Sequence, residues 1–355
     1  MFTCKEVITK KDKELFLSLP KKLYEKDYLT QDLETEKQIL DNLHPLSIDF
    51  DIYPFIVLNG GGKIVSRCIL TVYPNDNNGY VGFFESVQSK DAVNCLIESV
   101  KKKSKELELV NLVGPIDCSI WIKYRFKVDF FDNYYTGEPY NKDYYPELWE
   151  SIGFNKTISY YSNQLRIPTE EDMNDKIERV SKRVLEKRNY TITEPNDDVL
   201  VEALEDVYGL LSHLYAEFPY YKYITKTQFC LLFKKLGKIF NYDMVKLVYE
   251  NAELVGFLVA VPNYGCLLNN PSIFNINKIK RIKKKPTEFV LLYLGASSKH
   301  LGLGGVLAQM CKEYMQKYKC TSINALVRED NQSGRLYQEL TVKKYNYVMY
   351  KMSIK

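Results

Sequence analysis

A glycine-rich segment late in the chain has the residue types and spacing to bind an anion. It reads KHLGLGG at 299–305 and follows an almost continuous apolar run, Glu288–Ala296. Glycines let a backbone approach a ligand closely, and the unpaired N–H groups in the first turn of a helix attract anions. A buried strand, this glycine loop (residues 299–305) and a helix start therefore predict a cradle for a pyrophosphate.

The same glycines are also compatible with a dinucleotide site or with a packing role alone. A dinucleotide-binding fold needs Gly-x-Gly-x-x-Gly after the first strand of its βαβ unit and an acidic residue about 20 positions later. Here two predicted helices and a hairpin precede the loop, and its spacing is Lys299-x-x-Gly302-x-Gly304. This context disfavours a dinucleotide, whereas the packing role stays open.

Two segments together resemble the GNAT superfamily of acyl-CoA N-acyltransferases. The glycine loop is similar to that family's pyrophosphate loop, (Arg/Gln)-x-x-Gly-x-(Gly/Ala), and NQSGRLY at 331–337 is similar to the helix that follows in the family. Lys299 departs from the pattern because it supplies charge without a guanidinium fork. Thr341 and Val342 stand where the family has Gly and Phe.

The resemblance implies an α/β fold with a mixed α+β sheet, in which the central strand splays from its neighbour and the pantetheine arm lies in the gap. It implies acetyl-CoA or another acyl-CoA as cofactor, and no metal. The residues that would bind it are Leu294, Gly295, Ala296, Lys299, His300, Leu301, Gly302, Leu303, Gly304, Gly305, Asn331 and Ser333.

Attack of an amine on a thioester needs a base, donors for the developing oxyanion and an acid for the departing thiolate. By the resemblance, Tyr337 is the acid, since a phenol keeps its proton at neutral pH. Glu288 lies 14 residues before Gly302, near the place of the base glutamate in the histone-acetyltransferase branch. Core packing for Tyr337 and an exposed strand-start carboxylate for Glu288 remain the alternatives. His213 and Glu217 share a helix face and are weaker candidates.

The remaining elements of the second half place the glycine loop between a central strand and a helix. Thr225 is the predicted N-cap of the second helix. His300 is expected to face solvent. Apolar periodicity predicts helices at 199–218, 225–240, 302–318 and 331–340, and strands at 244–249, 254–261, 288–296, 322–327 and 345–354.

The first half shows a related order of elements but no glycine loop. LWESIGF at 148–154 corresponds to LYQELTV at 336–342, which predicts a diverged internal duplication. Pro168 and the charged stretch after it mark a boundary. We predict a degenerate GNAT-like N-terminal domain at 1–167, which does not bind CoA, and a catalytic GNAT domain at 168–355. Strands are predicted at 55–58, 63–72, 80–86, 109–113 and 157–165, and helices at 91–107 and 144–152.

Two further stretches of the first half resemble two-domain bacterial N-acetyltransferase-like proteins. They are 114–121, which contains a Gly-Pro pair and an Asp-Cys-Ser triplet, and 139–154. This resemblance implies an acyltransferase and no particular substrate. The aromatic-rich stretch 130–145 would either cover an acceptor site or pack between the two halves of the chain.

Composition limits the class of protein. A chain of 355 residues is long for a single core, and its net charge of +4 does not indicate nucleic acid or a membrane surface. The start of the chain has no apolar secretory core, and no run approaches the roughly 18 apolar residues of a membrane span. Eight scattered cysteines and three histidines show no metal spacing. These features predict a cytoplasmic protein with reduced thiols.

Three hypotheses for function remain. The first is an N-acyltransferase that uses acetyl-CoA or another acyl-CoA, with a small-molecule or peptide amine as acceptor. The second is an acyl or aminoacyl transferase whose donor is an acidic acyl-carrier protein or a tRNA; the basic run at 278–285 keeps it open. The third is a non-catalytic binding protein with the GNAT fold.

Overall fold

The computed structural model describes residues 1–173, 176–269, 273–329 and 337–354. The chain forms two compact units. The first contains Met1–Tyr134, Pro139–Ser159 and Asn346–Lys355, and the second contains Tyr135–Glu138 and Tyr160–Tyr345. The units therefore do not follow a single cut at residue 168.

The first half of the chain begins with a strand and several short helices, and then alternates strands with helices. The strands are β1 (Thr3–Glu6), β2 (Asp51–Leu58), β3 (Ile64–Val72), β4 (Asn78–Ser86), β5 (Asn111–Gly114), β6 (Phe126–Lys127) and β7 (Asn155–Leu165). The helices are α1 (Lys10–Ser18), α2 (Pro20–Leu23), α3 (Leu33–Leu40), α4 (Lys90–Glu106) and α5 (Tyr145–Ser151).

The second half continues this numbering. Its helices are α6 (Glu170–Met173), α7 (Lys176–Lys187), α8 (Leu200–Tyr215), α9 (Lys226–Phe233), α10 (Ile273–Lys284) and α11 (Leu303–Tyr318). Its strands are β8 (Thr191–Thr193), β9 (Val245–Glu250), β10 (Glu253–Pro262), β11 (Glu288–Ala296), β12 (Thr321–Arg328) and β13 (Thr341–Ser353).

The sheet of the first unit runs β1-β2-β3-β4-β5-β13, and only the pair β4/β5 is parallel. The sheet of the second unit runs β8-β9-β10-β11-β12-β7, and only β11/β12 is parallel. In each unit one long helix, α4 or α11, connects the parallel pair. The two units thus repeat one arrangement, as the predicted duplication requires.

The last antiparallel strand of each sheet comes from the other half of the sequence. Residues 350–353 of β13 pair with β5 in the first unit, and residues 160–165 of β7 pair with β12 in the second. Such pairing joins residues that are far apart in sequence, and hydrophobic periodicity carries no information about it.

Local chemistry explains where several elements begin. Thr225 caps α9 in a capping box with Gln228, as the sequence predicts. Asn251 and Ala252 have φ of 52° and 65° in the two-residue turn between β9 and β10, the conformation that suits a tight hairpin.

Some predicted bounds differ from the structure. The helix predicted at 225–240 ends at Phe233 and continues as the 3-10 helix Lys234–Ile239. Most of the basic run lies on α10, which was not predicted. Of the helix predicted at 331–340, residues 331–336 lie outside the described residues, and 337–340 form a 3-10 turn. Within the described ranges, no helix combines the length and apolarity needed to cross a membrane.

Candidate functional site

The parallel strands β11 and β12 separate part-way along their length. Their pairing joins Glu288–Leu291 to Thr321–Asn324. Beyond Leu291, β11 continues to Ala296 along β10, while β12 continues along β7. Among the described residues, the edge of β11 over 292–296 therefore has no ladder partner on the β12 side. This gap is the splay that the resemblance implies.

Irregular residues on both strands lie where the gap opens. The register between β10 and β11 shifts so that Leu292 is an extra residue between two ladder pairs. On β12 the register against β7 shifts after Asn324, and Leu326 has a φ of 62°. Because a bulge bends its strand and interrupts its ladder, these two irregularities explain why the strands part here. Unpaired backbone groups in a gap of this kind can bind the amides of an extended ligand.

Residues 294–296 lie along this gap, as the resemblance implies. Leu294 and Ala296 are half-buried and pack against the core beneath α11. On the opposite face, a Cβ added to Gly295 would lie 2.5 Å from the Phe257 ring and 2.9 Å from Leu214. Gly295 is therefore required for close packing of α8 on the sheet.

The glycine loop connects β11 to α11. Gly302 is the N-cap of α11 at φ 90° and provides no side-chain cap. Four N–H groups of the loop are already hydrogen-bonded. That of Lys299 donates to Ser297 Oγ at 3.4 Å, and those of His300, Leu303 and Gly305 donate to the carbonyls of Ser297, His300 and Gly302 at 3.0, 3.1 and 3.0 Å. The N–H groups of Leu301, Gly302 and Gly304 make no bond to another described residue. Among the backbone N–H groups that are predicted to bind the pyrophosphate, these three are therefore the ones available to an anion.

Space for a ligand is present at Gly304. A Cβ built there meets no described atom within 4 Å. Lys299 is exposed and makes no ion pair with a described residue. An open helix start beside a solvated cation fits the binding of a phosphate group.

Gly302 is required for a different reason. A Cβ at this position would lie 2.7 Å from Cγ2 of Val184 on α7, and its φ is in the left-handed region. We expect Gly302→Ala to lower the free energy of unfolding by about 2–3 kcal/mol, from backbone strain plus the clash. Urea denaturation measures this. The double variant with Val184→Ala should recover the clash contribution; a single variant as stable as the parent would contradict the expectation.

His300 differs from the prediction. Its Nδ1 lies 3.0 Å from the Tyr190 hydroxyl and 3.9 Å from a Glu250 carboxylate oxygen, and its side chain is 11 % exposed. The expectation that it faces solvent is wrong, because Tyr190 hydrogen-bonds the imidazole and holds it against the protein. Leu301, in contrast, is 88 % exposed at the tip of the loop.

Glu288 is fully hydrogen-bonded at the start of β11. One carboxylate oxygen accepts from Gln164 Nε2 at 2.8 Å and Thr321 Oγ1 at 2.9 Å, and the other accepts from Asn263 Nδ2 at 2.6 Å. The carboxylate is half-buried, and these three hydrogen bonds fix its position. Sequence reasoning missed these three partners, because they come from three distant parts of the chain and share no motif.

Tyr337 lies in the core of the second unit and is 3 % exposed. Its hydroxyl donates to the Ala308 carbonyl on α11 at 3.4 Å. Burial raises the pKa of this phenol well above its ordinary value, so it carries its proton at neutral pH. Tyr337 and Glu288, the two predicted catalytic residues, do not contact each other in the described structure. Both catalytic roles remain predictions.

The remaining candidates are exposed or lie beyond the described ranges. Asn331 and Ser333 lie outside the described residues. His213 and Glu217 are exposed. Among the described residues, no group of three or more His, Cys, Asp or Glu side chains is arranged to hold a metal ion.

The equivalent splay in the first unit is filled by the chain itself. β4 and β5 pair only over residues 78–80 and 111–113. Beyond this point the Ile116 N–H bonds to the Val81 carbonyl at 2.9 Å, and the Asp117 carboxylate accepts from the Phe83 N–H. A Cβ on Gly82 would lie 1.9 Å from the Ile116 carbonyl oxygen. Residues 116–117 thus occupy the place that a pantetheine arm would take.

The helix start in the first unit is closed too. Ser89 caps α4, and its hydroxyl accepts from the Ala92 N–H. The N-cap of α11 is a glycine without such a group. The Gly-Pro-Ile-Asp stretch at 114–117 was the sequence signal for the filled splay, although its role was not recognised.

Comparison with known proteins supports the fold. No family model matches the chain, and no curated protein matches it. The fold is similar to a tandem GNAT protein from the clavulanic acid biosynthesis pathway, with 12 % identity, a TM-score of 0.52 and coverage of 100 % of this chain and 98 % of that one.

Two further solved structures are similar. A GCN5-related N-acetyltransferase from Kribbella flavida has 9 % identity and a TM-score of 0.51, over 99 % of this chain and 70 % of that one. A GCN5-related glucosamine N-acetyltransferase region of a fungal multi-domain β-N-acetylglucosaminidase has 11 % identity and a TM-score of 0.54, over 99 % of this chain and 38 % of that one. The chain has the GNAT fold in tandem, as predicted; at these identities the likeness concerns the fold alone.

Proposed function

We propose that this chain transfers an acyl group from acyl-CoA to an amine on a small molecule or peptide. The observation that carries the proposal is the combination, on the two sides of one loop in the second unit, of the gap at 292–296 and a helix start that is open at Gly304. An extended arm along the strand and a pyrophosphate at the helix N-terminus match the shape and charge of CoA.

The proposed reaction is an acyl transfer that involves no oxidation or reduction. Acyl-CoA supplies a thioester carbonyl: the amine nitrogen forms a C–N bond to it, the C–S bond breaks, and the sulfur leaves as a thiolate. Glu288, held by Gln164, Thr321 and Asn263, is proposed to accept the ammonium proton. Tyr337 is proposed to donate a proton to the thiolate, since burial keeps its phenol protonated.

The carrier-protein donor is less well supported. The exposed cations Arg281, Lys284 and Lys285 lie on or just after the end of α10, within a few residues of the start of β11. The glycine loop follows the other end of β11, about 26 Å away at about 3.3 Å per residue. A carrier protein would have to bind next to the glycine loop to insert its phosphopantetheine arm. At that position it would be too far from these cations to bind them.

Isothermal titration with CoA and acetyl-CoA tests the proposal. We expect dissociation constants of about micromolar order and one site per chain, because residues 116–117 fill the splay of the first unit. Two sites per chain would contradict the assignment of the first unit. No binding at millimolar concentrations would overturn the proposal and favour a carrier-bound or tRNA-bound donor.

A further inference from the structure

Basic residues from two segments of the second unit form one surface patch. The 3-10 helix Lys234–Ile239 lies beside the end of α10, because Lys283 Nζ donates to the Lys238 carbonyl at 3.3 Å and Asn241 Nδ2 donates to the Lys283 carbonyl at 3.1 Å. The cations of these two segments, which we call the basic patch, are Lys234, Lys235, Lys238, Lys278, Lys280, Arg281, Lys283, Lys284 and Lys285. All of them except Lys283 are exposed.

The positive charge of the chain is concentrated in the basic patch. The sequence contains 49 Lys and Arg and 45 Asp and Glu. With the nine cations of the patch set apart, 40 cations remain against 45 anions, so the rest of the chain has a net charge of −5. No Asp or Glu occurs at 226–242 or at 254–287, the stretches that contain the patch. The overall charge of +4 therefore hides a strongly basic surface.

The exposed cations of α10 are not neutralised by the described part of the chain. Lys280, Arg281 and Lys284 form no ion pair there. Asp243, which follows the first basic segment, is paired with Lys317 at 3.0 Å. Like charges four residues apart on a helix, such as those of Lys280 and Lys284, destabilise it. An external anion would remove this repulsion.

The composition of the patch disfavours a protein or a membrane as its partner. Protein–protein interfaces are depleted in lysine and enriched in aromatic residues, whereas the patch is mostly lysine and residues 234–239 and 275–285 include no aromatic residue. A helix that lies on a membrane turns an apolar face to the lipid. Of the described apolar side chains of α10, only Ile276 is exposed, while Ile279 and Ile282 are half-buried on the face away from the exposed cations.

The phosphates of a nucleic-acid duplex fit the patch better. A duplex carries one negative charge for about every 1.7 Å of its axis. Lys284 lies three residues after Arg281 and four after Lys280, which places their Cβ atoms about 5–6 Å apart. Several cations can therefore contact neighbouring phosphates at once. Single strands bind largely by stacking on aromatic side chains, which these two segments lack.

We propose that the basic patch binds the phosphate backbone of a double-stranded nucleic acid without reading its base sequence. Lysine supplies a point charge that suits a phosphate, and phosphate contacts position a duplex but carry no sequence information. This inference goes beyond the proposed function and does not depend on it. The patch adjoins the start of β11, whereas the glycine loop follows its end.

Fluorescence anisotropy of the full chain with labelled duplexes of about 20 base pairs, one of RNA and one of DNA, tests the proposal. If about five phosphates are contacted, the affinity should fall about 500-fold between about 50 and 200 mM salt, because each contact releases a counterion. Binding of either duplex with this salt dependence supports the proposal and shows which backbone is preferred. No binding to either duplex at the lower salt concentration, or binding that salt does not weaken, would refute it.

Vesicles of equal parts phosphatidylcholine and phosphatidylserine are the competing probe. The patch lacks an exposed apolar face on α10, so we expect the duplexes to bind and to compete successfully against the vesicles. Vesicles that bind while both duplexes do not would overturn the proposal in favour of a lipid surface.

A triple variant locates the binding surface. Lys280→Gln, Arg281→Gln and Lys284→Gln together remove three exposed cations, and exposed substitutions of this kind have little effect on folding. With about two phosphate contacts left, the fall in affinity between the two salt concentrations should shrink to about 12-fold. A triple variant that keeps the parental affinity and salt dependence would show that the duplex binds elsewhere.

The matched control removes the same net charge outside the patch. Lys11→Gln, Lys21→Gln and Lys22→Gln together change three exposed lysines of α1 and α2. This control should bind both duplexes with the affinity and the salt dependence of the parent. A control that loses as much affinity as the patch variant would mean that net charge, rather than the basic patch, accounts for the binding.

Discussion

Gly304→Glu is expected to abolish CoA binding without unfolding the protein. A side chain at this position meets no described atom within 4 Å of its Cβ, and an acidic residue in the first turn of α11 is favourable to the helix. The new carboxylate would lie where the pyrophosphate is proposed to bind. Repulsion at close range amounts to several kcal/mol, so we expect an affinity loss of about 100-fold or more. Isothermal titration and thermal denaturation measure the two effects.

Gly304→Ala is the matched control. The methyl group fits the same open space, and alanine is the other residue that the GNAT loop pattern allows at this position. Binding should therefore change by only about threefold or less. Retained affinity in Gly304→Glu would show that the glycine loop is not the anion site, and acyl-CoA as the donor would then lose its main structural support.

Tyr337→Phe is expected to lower kcat by about 100-fold or more while the affinity for CoA stays nearly unchanged. The hydroxyl donates a long hydrogen bond to the Ala308 carbonyl at 3.4 Å and also interacts with the Cys311 thiol, so its removal should cost only about 1 kcal/mol of stability. The rate is followed as free CoA thiol released in the presence of an amine acceptor taken from a screen.

A second tyrosine separates catalysis from packing. Tyr314 lies on α11 in the same core, and its hydroxyl has no hydrogen-bond partner within the described residues. Tyr314→Phe therefore removes a comparable buried hydroxyl without a catalytic role. If both variants keep the parental kcat, or if Tyr337→Phe lowers only the melting temperature, Tyr337 is a packing residue and the proton comes from another group.

The prediction from sequence was most accurate where structure depends on neighbouring residues. The strand Glu288–Ala296 has the same bounds in the structure, and the helix after the glycine loop starts within one residue of the predicted position. Apolar runs, glycines and caps act over a few residues, so one sequence is enough to locate them.

Features that involve distant segments could not be predicted in this way. Hydrophobic periodicity marks β7 and β13 as strands, but their partners depend on which backbone groups meet across the whole sheet. The burial of His300 depends on Tyr190, which lies 110 residues earlier. The filling of the first splay depends on Asp117 reaching the N–H of Phe83.

The sequence by itself determined the class of fold, the strand, the glycine loop and the helix that make up the proposed anion site. Only the tertiary structure decided which strands flank the gap, what holds Glu288 in place, that the first unit closes its own splay, and that two basic segments form one patch. The physical reason is that local backbone preferences are set by nearby residues, whereas gaps, surface patches and hydrogen-bond partners arise only when remote segments pack together.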